Sequence, residues 1–224
     1  MITGTWSTLI IQSLPLFAVG LVNTVIVAFV ALGIGLVGGV LFGLLSCNKY
    51  KSWYTVAINL YVLVIRGTPV CLQLLLIYFA LPAAIGINLS PMAAGIITLG
   101  INSIAYVTEI IRGGINAINA GQWDASYVLG LSYVDTIKTI IMPQVFKIVL
   151  SPLTSESITL LKETSIISII GLMELTRIGM NISARSLDPI GTYLPIALIY
   201  LCMTTVISYG ARIIERRLYH GQGS

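Results

Sequence analysis

Charged side chains interrupt the long apolar runs of this sequence at a few positions. They are Glu109, Arg112, Glu156, Lys162 and Glu163. A charged group at membrane depth costs about 2.5–3.5 kcal/mol on insertion scales, so such groups are as a rule enclosed by protein and functional. Ser155, Thr159 and Lys162 recur at helical spacing and form one polar stripe, while Glu156, Leu160 and Glu163 form the adjoining one. A helix that is polar along one side is typical of a segment lining a substrate path.

The same charges have a structural interpretation. Lys162 would pair with Glu163 or Glu156, and Arg112 lies three residues after Glu109, a spacing at which helical side chains meet. Pairs of this kind hold helices together without touching a substrate. The sequence leaves both interpretations open.

Composition places these residues in a membrane protein. The 224-residue chain is 57% hydrophobic and 9% charged, with a mean hydropathy of +0.97, and few soluble domains carry so little charge. Residues 1–48 and 67–108 contain no Asp, Glu, Lys or Arg. Each run is longer than the ~20 residues that cross a bilayer. We therefore expect an all-α membrane protein.

Hydropathy and turn residues divide the chain, as a single transmembrane domain of residues 1–224, into five spans. They are predicted at about residues 15–47, 69–85, 91–112, 148–173 and 192–212. Residues 53–65 form a shorter apolar run, which predicts an interfacial helix on the cytoplasmic side. Gly35, Gly39 and Gly43, at four-residue intervals, predict that another helix packs closely against the first span.

Basic residues predict the orientation. They follow the first span, flank the longest polar stretch and close the chain, at Lys49, Lys51, Lys138, Lys147, Arg212, Arg216 and Arg217. By the positive-inside rule these places are cytoplasmic. The amino terminus is then outside, the carboxyl terminus inside, and residues 113–147 form a cytoplasmic loop.

Some chemistry is disfavoured by what the sequence lacks. Cys47, Cys71 and Cys202 form no CxxC pair and have only His220 to help them, so we expect no disulfide framework and no metal site. No GxxxxGK[ST] motif occurs, so the chain lacks the backbone cradle and the lysine that hold ATP phosphates.

The cytoplasmic loop contains the stretch DASYVLGLSYVDTIKTIIMPQ, residues 124–144. Residues 122–131 predict a short helix with apolar side chains such as Leu129 on its surface. Asp124 lies near its start, where a carboxylate suits the helix dipole. Gly130 predicts its end, and Pro143 marks the return toward the membrane.

The spacing within this stretch resembles the cytoplasmic signature loop of ATP-binding-cassette importer permeases. That pattern reads Glu-Ala-Ala, three residues, Gly, nine residues, Ile, one residue, Leu-Pro; here Asp124 replaces Glu, Ser126 replaces Ala and Met142 replaces Leu. RGTPVCLQLLLIYFALP, AYVTEIIRGGINAINAGQ and LLKETSIISIIGLMELTR resemble segments of the polar amino acid permeases, the histidine/glutamine/arginine branch. The resemblance implies the type I importer permease fold, with five transmembrane helices and a cytoplasmic coupling helix.

The resemblance also implies a complex in the bacterial inner membrane. The chain would pair with a second permease subunit, identical or related. Two cytoplasmic ATPase subunits would bind ATP and Mg, an extracytoplasmic solute-binding protein would deliver the amino acid, and this chain would bind neither a cofactor nor nucleic acid. The residues that would couple to the ATPase are Gln122, Asp124, Ala125, Ser126, Leu129, Gly130 and Pro143.

An amino acid needs a cation for its carboxylate and an anion for its ammonium group. Lys162, with Ser155 or Thr159 nearby, is the candidate for the carboxylate. Glu109 and Glu163 are candidates for the ammonium group or a cationic side chain, and this surplus of acid favours a cationic amino acid. The remaining charges are candidates for a gate or for structural ion pairs: Arg66, Arg112 and Glu156.

Three alternatives stay open at this stage. The short helix of the loop could lie on lipid headgroups rather than dock into a partner. The chain could be an ion-coupled secondary amino acid transporter without an ATPase, although five spans without an inverted repeat disfavour that class. It could also be a membrane scaffold whose polar stripe only pairs helices.

Overall fold

The computed structural model describes residues 5–47 and 53–220, with side chains described for residues 13–47 and 53–218. Lys49 and Lys51, on which part of the predicted orientation rests, lie outside this description. The described residues form eight helices: α1 Thr5–Ser46, α2 Trp53–Gly67, α3 Val70–Ile85, α4 Pro91–Asn116, α5 Ala120–Val128, α6 Tyr133–Ile170, α7 Leu175–Ser186 and α8 Pro189–His220. Within α6, a π-helical turn Thr136–Ile141 precedes the regular part Met142–Glu163, and a 3-10 turn Thr164–Ile170 follows it.

Four of these helices are long and apolar enough to cross a membrane, namely α1, α4, α6 and α8. The pair α2 and α3 passes the same criterion only when the two are taken together, with a bend of 103° between them, so the described residues hold four candidate spans, or five if this pair counts as one. The predicted all-α membrane fold is confirmed. Helix α2 covers the predicted interfacial helix and α3 the predicted second span, and the chain breaks between them because Pro69 has no backbone N–H and the residue before a proline is disfavoured in helical conformation.

Helix α4 packs along α1 with unusually close backbones. Side chains of α4 occupy the space that a Cβ atom would need on three glycines of α1: Ser103 at Gly35, Val107 at Gly39 and Ile111 at Gly43. Both sets recur every four residues, so they lie on facing sides of the two helices. The close approach predicted from the glycine spacing is confirmed, and the partner is α4.

Two apolar clusters lie along α4, one toward each end. The first joins α1, α3, α4 and α6 through buried residues that include Val27, Leu74, Leu99, Leu160 and Ile167. The second joins the other end of α4 to the start of α6 through Val107, Ile111, Ile141, Val145 and Val149. Helix α4 is therefore the element against which the rest of the bundle is positioned.

The segment after α6 folds back onto α1. Gly171 has φ 89 and ends the 3-10 turn, a conformation open to glycine because it has no Cβ. Asn23 Nδ2 donates to the Met173 carbonyl at 2.8 Å. The fully buried Glu174 then caps α7, accepting hydrogen bonds from the backbone N–H groups of Arg177 at 2.6 Å and Thr176 at 2.8 Å. This connection is thus anchored to the bundle at both ends.

Candidate functional site

Glu109 of α4 is held by two arginines. Its Oε1 lies 2.8 Å from Arg112 Nη1, and its Oε2 lies 3.5 Å from Arg66 Nη1. Arg112 Nη1 also donates to Asn59 Oδ1 of α2 at 3.0 Å, and the Arg66 guanidinium lies over the Tyr106 ring, 5.1 Å from its centroid. Two cations and one anion leave the cluster with a formal charge of +1. The Glu109–Arg112 pair foreseen by the structural interpretation is present.

A cavity of about 490 Å³ opens beside this cluster, between α2 and α4. Its charged lining consists of Arg66, Glu109 and Arg112, with Asn59 and Tyr106 beside them. A volume of this order is in the range of small-ligand sites. Arg66 is the most exposed of the three charges, with 42% of its side chain accessible.

The polar face of α6 is divided into an exposed and a half-buried stripe. Ser155, Thr159 and Lys162 are exposed, while Glu156 and Glu163 are half-buried. Glu156 and Glu163 lie two turns apart on one face of α6. Among the described residues, no ion pair joins Lys162 to either glutamate. The structure therefore brings Arg66 and Glu109 together with Arg112, and in the described part of the chain Glu156, Lys162 and Glu163 form no ion pair.

The loop helix predicted over residues 122–131 is α5, Ala120–Val128. It begins two residues earlier because Asn119 is its cap, its Oδ1 accepting from Gly121 N at 2.8 Å. Just after the helix, Gly130 has φ 72, the left-handed conformation that glycine often adopts where a helix ends.

The loop segment exposes apolar side chains. Tyr127, Val128 and Leu129 are 85%, 83% and 74% exposed. Gln122, Asp124, Ala125 and Pro143 are exposed as well, whereas Ser126 is buried, its hydroxyl donating to the Gln122 carbonyl at 2.7 Å. An exposed apolar tip on a polar segment is typical of a contact surface for another protein.

Sequence reasoning missed three buried polar residues, Gln73, Asn102 and Glu174, which are 8%, 5% and 0% exposed. Gln73 and Asn102 are uncharged and lie within apolar runs, so they carry no signal against a membrane background. Glu174 directly precedes an amphipathic helix, and a carboxylate at that position is a recognisable helix start. No group of three His, Cys, Asp or Glu side chains that could hold a metal ion occurs in the described part of the chain.

The bundle, its charged cluster and its exposed loop helix define a helical membrane component of a transport complex. Residues 35–220 match the family of binding-protein-dependent transport system inner membrane components, and the chain belongs to that family.

Relatives match over most of their length. The chain is 34% identical to an arginine transport system permease protein, ArtQ, of Bacillus subtilis (strain 168), over 93% of this chain and 94% of the relative. It is 38% identical to a glutamine transport system permease protein, GlnP, of Escherichia coli (strain K12), over 83% of this chain and 86% of that relative.

Solved structures agree on the fold. A crystal structure of an amino acid ABC transporter with histidines has a TM-score of 0.87 and 38% identity, covering 97% of this chain and 100% of that chain. An inward-facing structure of the MetNI methionine ABC transporter has a TM-score of 0.80 at 17% identity, covering 92% of this chain and 98% of that chain. This likeness supports the fold alone. The type I importer permease fold expected from the loop spacing is confirmed.

Proposed function

We propose that this chain is the permease through which a polar, cationic amino acid enters a bacterial cell. The observation that carries the proposal is the match along nearly the whole chain to permeases named for arginine and glutamine transport. In this proposal a solute-binding protein delivers the substrate outside, and two cytoplasmic ATPase subunits bind ATP and Mg. The amino terminus faces out and the carboxyl terminus faces in.

Helix α5 is the contact to the ATPase. The tip of α5 exposes Tyr127, Val128 and Leu129, each at least 74%, and so offers apolar side chains to a groove of the partner. The N-cap at Asn119 and the turn at Gly130 give the helix defined ends, so movement of the partner is passed to α4 and α6 at either side.

The exposed stripe of α6 faces the second permease subunit. Lys162 is exposed in the isolated chain, and a lysine facing lipid at the centre of a membrane would cost about 2.5–3.5 kcal/mol. A second permease that meets this stripe would remove Lys162 from lipid and enclose a polar path between the subunits.

The substrate lies along this path. Lys162, with Ser155 or Thr159, binds the carboxylate, and Glu163 binds the ammonium group or a cationic side chain. Glu109, the other acid assigned to the substrate, is already neutralised by two arginines, so we place it together with Arg66 and Arg112 at a gate beside the path. Glu156, the remaining candidate for the gate or for a structural ion pair, lies on the half-buried stripe of α6 with Glu163.

The test is ATP-dependent uptake into proteoliposomes that contain the assembled complex. Glu163→Gln should raise the KM for arginine about tenfold or more, because a charge-assisted contact is lost, and it should raise the KM for glutamine much less. Glu215→Gln, a matched change near the end of α8, should alter neither value.

An equal effect of Glu163→Gln on both substrates would contradict its contact with a cationic side chain. Uptake that persists without the ATPase would contradict the whole proposal and favour ion coupling.

A further inference from the structure

Helices α2 and α3 meet at an angle of 103° across a short break. Helix α2 ends at Gly67 and α3 begins at Val70, with Pro69 extended between them at φ −63 and ψ 132. The last four carbonyl groups of a helix have no partner within it. In a membrane such groups must be satisfied by other protein groups, since the surrounding lipid offers none.

The side chain of Gln73 binds two carbonyl groups at this break, while the Thr68 hydroxyl donates to a third, that of Val64, at 2.9 Å. Gln73 Nε2 donates to the Ile65 carbonyl at 2.8 Å and contacts Thr68 at two oxygens, the hydroxyl at 2.9 Å and the carbonyl at 3.2 Å. Gln73 itself is 8% exposed. A single buried amide on α3 is thus bound to the backbone on the other side of the break.

The same side chain is bound to α4. Gln73 Oε1 accepts from Asn102 Nδ2 at 3.3 Å, and Asn102 is 5% exposed. Asn102 is followed by Tyr106 and Glu109 at intervals of four and three residues, so the three lie on one face of α4. Tyr106 and Glu109 both contact Arg66, the residue next to the Ile65 carbonyl that Gln73 binds.

We infer that Gln73 is a positioning residue: it fixes the break between α2 and α3 against α4 and thereby aims Arg66 at Glu109 and into the adjoining cavity. The bend is then a rigid corner, and α2, the start of α3 and the face of α4 that bears Asn102 form one body. The consequence for transport rests on the proposed function, because Arg66 acts at the gate only if the chain is a permease.

The corner itself is tested without transport. In the assembled complex, with Cys47, Cys71 and Cys202 replaced by alanine, spin labels are placed on two exposed residues, Leu60 of α2 and Phe79 of α3. The wild-type background should give one narrow distance distribution. Gln73→Leu, which removes the amide, should broaden or shift it.

The control is Thr98→Val, because Thr98 is also buried, on α4, but its hydroxyl donates only to the Ala94 carbonyl of its own helix, at 2.7 Å. This change should leave the distance distribution unaltered. A distribution in Gln73→Leu with the same mean and width as in the wild-type background would overturn the inference.

Action through Arg66 is tested by a double-mutant cycle on the KM for uptake, with Gln73→Leu, Arg66→Ala and both together. The combined effect should depart from the product of the single effects by more than about threefold, since independent sites combine to within about twofold. Thr98→Val combined with Arg66→Ala should be multiplicative. Independent effects of Gln73→Leu and Arg66→Ala would refute positioning through Arg66.

If Gln73→Leu does not assemble, Asn102→Ala takes its place in both measurements, because it removes only the link between the corner and α4. Coupling of Asn102→Ala to Arg66→Ala supports the inference and independence overturns it. If the wild-type complex shows no ATP-dependent uptake, the transport proposal fails, while the distance measurement still decides whether Gln73 holds the corner.

Discussion

The exposed tip of α5 leads to a quantitative prediction for Leu129→Ala. Truncation removes three carbon atoms, each worth about 0.8 kcal/mol when buried. Leu129 is 74% exposed in the free chain. If a partner groove buries this exposed fraction, Leu129→Ala loses about 1.8 kcal/mol of binding free energy. The Kd for the ATPase then becomes about 20-fold weaker. The free energy of unfolding of the permease should change little, because the side chain makes few contacts within the chain.

The assay is the affinity of the detergent-solubilised permease for its ATPase subunits, measured by titration with ATP absent. Ile190→Ala is the matched control, since Ile190 is 70% exposed and lies at the start of α8, which the proposed orientation places outside. The control should leave the Kd unchanged. A change below about threefold for Leu129→Ala, or equal changes for both variants, would refute docking through α5.

Two further predictions concern packing and capping. Gly39→Leu should destabilise the chain by about 1–3 kcal/mol, because the new side chain would overpack against Val107. Gly33→Leu should be nearly neutral, because a Cβ at Gly33 meets nothing within 4 Å. Equal shifts in melting temperature for the two variants would contradict the packing of α1 on α4. Burial raises the pKa of Glu174 above its ordinary value of 4.5, against the opposing hydrogen bonds from Thr176, Arg177 and Tyr200. The free energy of unfolding should therefore fall as the pH rises from the unfolded pKa of Glu174 through its folded pKa. In melting curves recorded over a series of pH values, Glu174→Gln should make this dependence of stability on pH less steep. An unchanged dependence would contradict the role of burial at Glu174.

The sequence predicts those features whose signal is local or periodic. Gly35, Gly39 and Gly43 predict a close helix contact because their spacing is that of one helix face, and Glu109 and Arg112 predict a pair because they lie three positions apart. The partner of the glycines is not predictable in this way, since the long apolar runs of the chain resemble one another. That partner is α4 only because the fold brings Ser103, Val107 and Ile111 to the same height.

The corner at Gln73 could not be predicted for a different reason. Its partners lie five, eight and twenty-nine residues away in sequence, and none of these intervals corresponds to a regular helix contact. The sequence shows a break at Pro69, and the angle of that break depends on hydrogen bonds formed only after folding. In the proposed function, the use of the α6 charges also depends on a second permease subunit, which a single chain does not specify.

The continuity of α6 has a mechanical consequence. Between its π-helical turn and its 3-10 turn, α6 is regular over the 22 residues Met142–Glu163, a length of about 33 Å at 1.5 Å per residue. If one end is held, each degree of tilt displaces the other end by about 0.6 Å. A rotation of about five degrees at the loop would therefore shift the far end of this part by about 3 Å without unfolding any turn of the helix.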